Sequence, residues 1–298
     1  MVLRGKQLIV PVGLLLCLSL ACSLEGDQSL LTSIPSPSEE TGTSLETDEV
    51  DAEDHEGILF GFFPSPSRPD VEGVIETIQG IGEHGDVILF QENIPWEDFR
   101  EGPDVDSQKI TEMKEVFQFA EIQGLQGIFV VDPLNGLNRR EFQGLPEDMA
   151  GADFSSPQVR AGYLNFALRI TREFQPRYLG LASEINTYLD AHPEDMDAFL
   201  SLYRETYRAV KAISPDTQVF VTFQWDDLNR LDGDGQAYDI KWDQVEIFEP
   251  ELDVWAISSY PFFFFPDPGA IPDDYYTPLL ERTDKPLAVA EGGWTTQS

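Results

Sequence analysis

Cysteine and histidine are scarce in this chain, and their scarcity excludes two kinds of site. The two cysteines, Cys17 and Cys22, both lie in an apolar N-terminal stretch, so we expect no disulfide in the remainder of the chain. The three histidines, His55, His84 and His192, are not at ligand spacing from one another. We therefore expect no structural zinc site, and no motif indicates a cofactor.

Basic residues are also few. The chain has 19 Lys and Arg against 54 Asp and Glu, a formal net charge of -35. Such a surface repels nucleic acids and anionic lipids, which excludes both as partners of the folded domain. A neutral ligand such as a sugar is indifferent to this charge, and we expect the folded domain to be a monomer.

The N-terminal apolar run is too short for a comfortable transmembrane helix. Arg4 and Lys6 precede an apolar stretch at 8–21, and this layout predicts an export signal over residues 1–21. The stretch ends in Leu-Ser-Leu-Ala-Cys, which resembles a bacterial lipoprotein signal and implies lipidation of Cys22. The alternative is an ordinary cleaved signal that happens to contain a cysteine. In either case we expect an exported protein, extracellular or anchored in the cell envelope, whose only membrane contact is the lipid.

Residues 22–56 have few large apolar side chains and many Ser, Thr, Glu, Asp and Pro. Such a segment buries too little surface to offset its conformational entropy. We interpret it as a flexible acidic tether that joins the envelope to a domain over 57–298.

From residue 57 onward, short apolar runs alternate with helical periodicity. The predicted strands are 58–62, 87–90, 127–131, 178–183, 219–223, 254–257 and 286–290. Repeated strand–helix units with apolar strands indicate a parallel sheet covered by helices. Seven units in series, without a glycine-rich phosphate loop after the first strand, favour a TIM (β/α)8 barrel over a doubly wound sheet. The sequence stops soon after the seventh strand, so we expect an incomplete, open barrel.

Two glutamates follow two of these apolar runs. Glu184 ends the fourth predicted strand and Glu291 ends the seventh. Both are therefore expected at the C-terminal end of the barrel, its mouth, where TIM-barrel enzymes have their active sites. Two carboxylates on different strands are typical of the acid/base and nucleophile pair of a retaining glycosidase. In such a pair, burial and a neighbouring negative charge raise the pKa of the acid. The alternative is that each glutamate caps a strand or forms a surface ion pair.

The segments around the glutamates resemble a known family. Gly-Leu-Ala-Ser-Glu-Ile-Asn at 180–186 is similar to the strand-four motif of the arabinogalactan endo-β-1,4-galactanases, which are clan A glycoside hydrolases. Ala-Glu-Gly-Gly-Trp at 290–294 is similar to their strand-seven motif. The resemblance implies that Glu184 is the acid/base, that Glu291 is the nucleophile and that the substrate is a β-galactan. Ser183 is a departure, since clan A enzymes usually have asparagine there to contact the sugar 2-hydroxyl.

Other polar and aromatic residues follow the predicted strands. By resemblance, Tyr260 would bond the nucleophile, although it could equally be a core tyrosine. The remaining candidates for sugar contacts are Trp294, Trp225, Asn186, Asn93 and Asp132. Each has a structural alternative, because tryptophan also packs barrel rims and short polar side chains also cap loops.

These observations leave two functional hypotheses. The first is a retaining glycoside hydrolase that acts on an extracellular polysaccharide or oligosaccharide by a two-glutamate double displacement. The second is a non-catalytic carbohydrate-binding lipoprotein on the same scaffold, in which Ser183 marks a lost activity and the aromatic rim binds the sugar.

Overall fold

The computed structural model describes residues 58–230 and 239–294. The chain divides into a unit of residues 1–59, of which only Ile58 and Leu59 are described, and a second unit of residues 60–298. The predicted signal, the lipidation site Cys22 and the tether lie outside the described residues. None of the helices in the described ranges has the length and apolar character needed to cross a membrane.

The second unit alternates strands and helices along the chain. Its described strands are β1 (Gly61–Phe62), β2 (Val87–Asn93), β3 (Gln126–Asp132), β4 (Leu134–Asn135), β5 (Asn138–Phe142), β6 (Tyr178–Gly180), β7 (Gln218–Phe220), β8 (Thr222–Gln224), β9 (Trp255–Ser259) and β10 (Leu287–Gly292). Its α-helices are α1 (Val71–Gly82), α2 (Gln108–Ile122), α3 (Pro157–Phe174), α4 (Ile185–Ala191), α5 (Met196–Ile213), α6 (Trp225–Leu228), α7 (Asp243–Glu246) and α8 (Thr277–Arg282). Short 3₁₀ helices cover Glu147–Met149, Pro193–Asp195, Pro261–Phe263 and Pro268–Ala270.

The strands form two parallel sheets in the order of a (β/α) barrel. One sheet has the order β1-β2-β3-β6-β7, and the other has the order β10-β9-β8. Only Val221 separates β7 from β8, so one predicted strand serves both sheets. Among the described residues β1 pairs only with β2, and β10 only with β9. The barrel is therefore open, as the sequence predicted.

The apolar runs become strands because helices cover them. Ile88, Phe129 and Val219 are at most 1% exposed, as expected for strands of a covered parallel sheet. Helices α3 and α5 contribute apolar stripes to the same core. Gly180 ends β6 where no larger residue fits, because a Cβ there would lie within 3.0 Å of Val130 and Phe220 side-chain atoms.

Among the elements that were not predicted from the sequence, one hairpin matters for the site. After β3 the chain forms an antiparallel hairpin of β4 and β5. Strand β5 reads Asn-Arg-Arg-Glu-Phe, with one apolar residue in five, so it lacks the alternation that indicates a strand. The hairpin follows the C-terminal end of β3 and brings Arg139 to the strand ends that carry the two glutamates.

Candidate active site

Glu184 occupies a strained position between β6 and α4. Its backbone lies in the left-handed region at φ 50° and ψ 42°, which costs a non-glycine residue roughly 1–2 kcal/mol. Its backbone N–H donates to Oγ1 of Thr222 across 2.8 Å, which ties this turn to β8. Strain of this kind concentrates at functional sites, where the surrounding structure holds it in place.

Glu291 lies in β10 at an irregularity of the sheet. The register against β9 shifts between Val289 and Glu291, as at a β-bulge, a feature that re-aims side chains near sites. Ser183 Oγ donates to Oε1 of Glu291 at 2.6 Å, and the hydroxyl of Tyr260 donates to Oε2 at 3.1 Å. Both oxygens of Glu291 are therefore held, and the hydrogen bond expected from Tyr260 is present.

Arg139 from β5 joins the two glutamates. Its Nε donates to Oε2 of Glu184 at 2.9 Å, and its Nη2 lies 3.7 Å from Oε1 of Glu291. The same Nη2 donates to Ser183 Oγ at 3.2 Å. Because one guanidinium contacts both carboxylates, Glu184 and Glu291 converge on one small region of the barrel mouth. Apart from the pair Arg139 and Arg140, nothing in the sequence singled out this residue.

Asp132 at the end of β3 anchors the arginine. It accepts from Arg139 Nη1 at 2.5 Å and from Gln91 Nε2 at 2.9 Å, and the backbone N–H of Leu134 donates to its other oxygen. The side chain is only 2% exposed. This corrects the expectation that Asp132 contacts a sugar, because its oxygens are buried and occupied by protein donors.

The charges of the cluster shift several pKa values. Burial alone would lower the pKa of Arg139, but the carboxylates of Asp132, Glu184 and Glu291 outweigh it and raise that pKa above its usual value. Burial and the negative charge of Glu184 raise the pKa of Glu291, against the opposing effects of Arg139, Ser183 and Tyr260. The raised pKa thus falls on the glutamate to which the resemblance gives the role of nucleophile.

The second oxygen of Glu184 is also occupied. Ser258 from β9 donates its hydroxyl to Oε1, while Arg139 donates to Oε2. In the present arrangement, both oxygens of Glu184 are engaged with protein donors. Each of these oxygens can still carry a proton, but the two contacts fix the orientation of the carboxyl group and so the directions in which that proton can point.

Of three further candidates, two are fully buried and the third is an exposed residue that donates to backbone oxygens. Trp225 in α6 and Asn186 in α4 are both 0% exposed; the amide of Asn186 pairs with the backbone N–H and C=O of Gln224. Asn93 donates to the backbone oxygens of Asp132 and Leu134. Burial corrects the expectation that Trp225 and Asn186 bind a sugar, since neither offers a surface to one. The sugar contact expected of Asn93 stays a prediction, because its side chain is exposed.

Trp294 lies on the same side of the mouth as Tyr260. It is partly exposed, and its ring meets that of Phe262 edge-on, with centroids 6.3 Å apart. Of the aromatic candidates, Tyr260 and Trp294 are therefore brought toward Glu291, while Trp225 is not.

Asp226 is a further buried carboxylate near this side, and it holds Tyr260. It is 1% exposed and accepts from the Tyr260 backbone N–H and from Gln224 Nε2, both at 2.9 Å. The hydroxyls of Ser259 and Tyr275 also donate to it. Asp226 thereby fixes the backbone from which the Tyr260 hydroxyl reaches Glu291.

Comparison with known proteins supports the fold. No family model and no curated protein matches the sequence. Among solved structures, a beta-glucosidase superposes with a TM-score of 0.52 and 12% identity, over 76% of this chain and 69% of that one. A beta-glycosidase gives 0.50 and 13%, over 75% and 67%. A GH5_18 protein from Bifidobacterium longum subsp. longum gives 0.45 and 18%, over 65% of this chain and 46% of that one.

This chain therefore spans less than half the length of the Bifidobacterium protein. At 12% and 13% identity, the two stronger likenesses show the fold and nothing finer. Together with the parallel strand order, they identify the second unit as an open, partial TIM barrel.

Proposed function

We propose that this chain carries the site of a retaining glycoside hydrolase. The observation that carries the proposal is the convergence of Glu184 and Glu291, from two different strand ends, on the guanidinium of Arg139. Retaining glycosidases need two carboxyl groups about 5–5.5 Å apart across the scissile bond. The names of two solved proteins with similar folds, a beta-glucosidase and a beta-glycosidase, agree with this reaction class.

The proposed reaction is a double displacement. The Glu291 carboxylate attacks the anomeric carbon while the bond from that carbon to the leaving oxygen breaks, and a proton from Glu184 passes to that oxygen. Water then adds to the anomeric carbon, returns a proton to Glu184 and releases Glu291. Ser183 and Tyr260 hold Glu291 on its two oxygens and so orient it for attack.

The substrate class follows from charge and from the motifs. Arg139 is the only cation in contact with Asp132, Glu184 and Glu291 among the described residues, so the centre retains an excess of acidic groups. Such a centre favours a neutral sugar over a uronic acid. The motif resemblance points to β-galactan, and the names of the similar structures point to β-glucosides; we propose a neutral β-linked oligosaccharide or polysaccharide.

One observation favours the second candidate, a non-catalytic carbohydrate-binding protein. Arg139 and Ser258 occupy both oxygens of Glu184, whereas a general acid must face the leaving group. If these contacts keep the carboxyl proton turned away from a bound sugar, the same cleft binds the sugar without cleaving it.

Hydrolysis of a substrate panel by matched variants separates the two. The panel contains β-galactan, β-glucan and β-mannan oligosaccharides and the corresponding aryl glycosides. We expect wild-type turnover with retained anomeric configuration, and Glu184→Gln to lower kcat by about 10²–10⁴-fold on unactivated substrates. Glu291→Gln should abolish turnover because the nucleophile is lost.

Glu92→Gln is the control for these variants. Glu92 also ends a barrel strand, but it pairs with Lys109 and not with Arg139, so its loss should leave turnover unchanged. Binding of a panel member without wild-type turnover would establish the second candidate instead. Turnover that is unaffected by both glutamine variants would refute the assigned roles.

We also propose export and lipid attachment at Cys22, as the N-terminal sequence predicts. In a bacterial host, the wild-type chain should fractionate with membranes and incorporate radiolabelled palmitate, and Cys22→Ser should do neither. Labelling of the serine variant would exclude this cysteine as the acceptor.

A further inference from the structure

A row of aromatic side chains runs outward from Glu291. Tyr260, which donates to Glu291, meets the ring of Phe262 edge-on with centroids 6.1 Å apart. Phe262 in turn lies against Phe263, with centroids 4.2 Å apart and planes inclined by 34°. Trp294 meets the same Phe262 edge-on, with centroids 6.3 Å apart. The row therefore links a carboxylate of the site to the protein surface without interruption.

The outermost member, Phe263, is not needed for packing. It is 71% exposed, although fully burying such a ring would contribute roughly 1.5–3 kcal/mol. Phe265 is the residue of this loop that packs in the core. It is 7% exposed and meets Tyr275 edge-on, with ring centroids 5.6 Å apart. Phe264 packs partly buried against the core. Of the four consecutive phenylalanines, Phe263 is the one turned toward solvent.

The backbone under this row is fixed, and the contact between the rings of Phe262 and Phe263 limits their motion. Phe262 and Phe263 lie in the 3₁₀ helix Pro261–Phe263, which directly follows Tyr260. The Tyr260 backbone is held by Asp226. A rigid aromatic surface loses little conformational entropy when a ligand covers it, which is why such rings serve as anchors in binding sites.

We propose that Phe262 and Phe263 form a binding platform for one pyranose ring of a saccharide, beyond the ring whose bond is cleaved. The C–H groups on one face of a pyranose are apolar and flat enough to cover an aromatic ring, while its hydroxyls stay in water at the rim. Tyr260 contacts both Glu291 and Phe262, so the platform adjoins the catalytic pair. A ligand that reaches both must therefore be a saccharide of several rings. This inference rests on the proposed function.

Substrate length provides the test. Phe263→Ala should weaken binding of a tetrasaccharide to the Glu184→Gln variant, and raise KM for its hydrolysis by wild type, by about tenfold. The change for an aryl monoglycoside should be clearly smaller. Phe263→Trp should restore binding, since it restores a flat ring. The unfolding midpoint should not move, because the ring is exposed.

The control is Phe60→Ala. Phe60 is 58% exposed and meets Phe62 edge-on at 5.1 Å, so it is a matched exposed phenylalanine that does not belong to this row. Its loss should not affect saccharide binding.

The possible outcomes distinguish the platform from the hydrolase. Saccharide binding that depends on Phe263 but is accompanied by no wild-type hydrolysis supports the platform and refutes the hydrolase. If wild type hydrolyses the panel but Phe263→Ala raises KM equally for substrates of every length, or raises it for none, the platform is refuted and the hydrolase is not. Absence of both binding and hydrolysis across the panel overturns both.

Discussion

Ser183 donates its hydroxyl to Oε1 of Glu291 across 2.6 Å. The serine directly precedes Glu184 in sequence. Of these two adjacent residues, one carries the first carboxylate of the site and the other binds the second. A short side chain suffices here because Arg139 Nη2 and Thr222 Oγ1 close around the same hydroxyl at 3.2 Å each. The departure from the usual asparagine is therefore accompanied by an arginine that fills the adjacent space.

This relationship predicts that neither of two obvious substitutions at position 183 improves the enzyme. Ser183→Ala removes a hydrogen bond to a carboxylate, which is worth roughly 1.5–3 kcal/mol, so kcat/KM should fall by about 10–100-fold. Ser183→Asn restores the residue usual in clan A, but it must enter a position that is 0% exposed and already lined by Arg139. We expect it to lower the unfolding midpoint without raising activity. Kinetics and thermal unfolding of both variants provide the check, and a gain of activity in Ser183→Asn would contradict this account.

Arg139 should matter for stability as well as for activity. Replacing it with methionine leaves Asp132 buried without its cationic partner, and breaking a buried pair costs about 3–5 kcal/mol. Urea denaturation should show this loss at pH 7. The double variant Arg139→Met with Asp132→Asn should recover part of it, because no ionised carboxylate is then stranded at the end of β3. A double variant no more stable than Arg139→Met would show that the pair does not account for the loss.

The sequence predicted the barrel and its two glutamates because both leave local signals. A covered parallel strand needs an unbroken apolar run, and a carboxylate after such a run stands out. Arg139 left no such signal. It contacts Glu184, 45 residues away, only because β4 and β5 pair, and a hairpin with one apolar residue in its second strand is set by tertiary contacts.

Trp225 shows the opposite error, a residue that the sequence suggested for the site and that the structure buries. A tryptophan after a strand end is as common in the packing under a barrel rim as on its surface, and sequence alone cannot separate the two. Here the packing against Trp242 and Tyr275 settles the matter. On the Glu291 side, the hydrogen bond expected from Tyr260 is present, while the sugar contact expected of Trp294 stays a prediction.

The raised pKa of Glu291 predicts a pH dependence of stability. Burial, with the charge of Glu184, makes the native state hold a proton on Glu291 more tightly than the unfolded chain does. Stability therefore falls as the pH rises from the unfolded value, about 4.3, through the raised native one. Glu291→Gln should remove this fall, so its free energy of unfolding relative to wild type should increase with pH over that range. Denaturant titrations at several pH values test this, with Glu92→Gln as the control; a pH-independent difference would contradict it.

The stability of the protein should be sensitive to the loss of one carboxylate oxygen of Asp226. Four donors face its two oxygens, from Tyr260, Gln224, Ser259 and Tyr275. Asp226→Asn replaces one oxygen with an amide whose hydrogens face the two donors on that side, which should cost about 1–3 kcal/mol. The unfolding midpoint and kcat should both fall, since Tyr260 loses its anchor. Asp227→Asn is the matched control, because that neighbour is 42% exposed; equal losses in the two variants would exclude a special role for Asp226.

Because the backbone of Glu184 is left-handed, we expect the glycine variant at this position to be more stable than the alanine variant, the reverse of the usual order. In an ordinary helix, glycine is less stable than alanine by about 1 kcal/mol. At φ 50° glycine is free of the Cβ clash, so Glu184→Gly should be more stable than Glu184→Ala by about 1–2 kcal/mol. Both variants lose the contact with Arg139 equally, so their difference isolates the backbone. The same pair at Glu205, on the exposed side of α5, should show the ordinary order. Alanine equal to or better than glycine at 184 would mean that the turn between β6 and α4 is not strained and that Glu184 is not held there against its backbone preference.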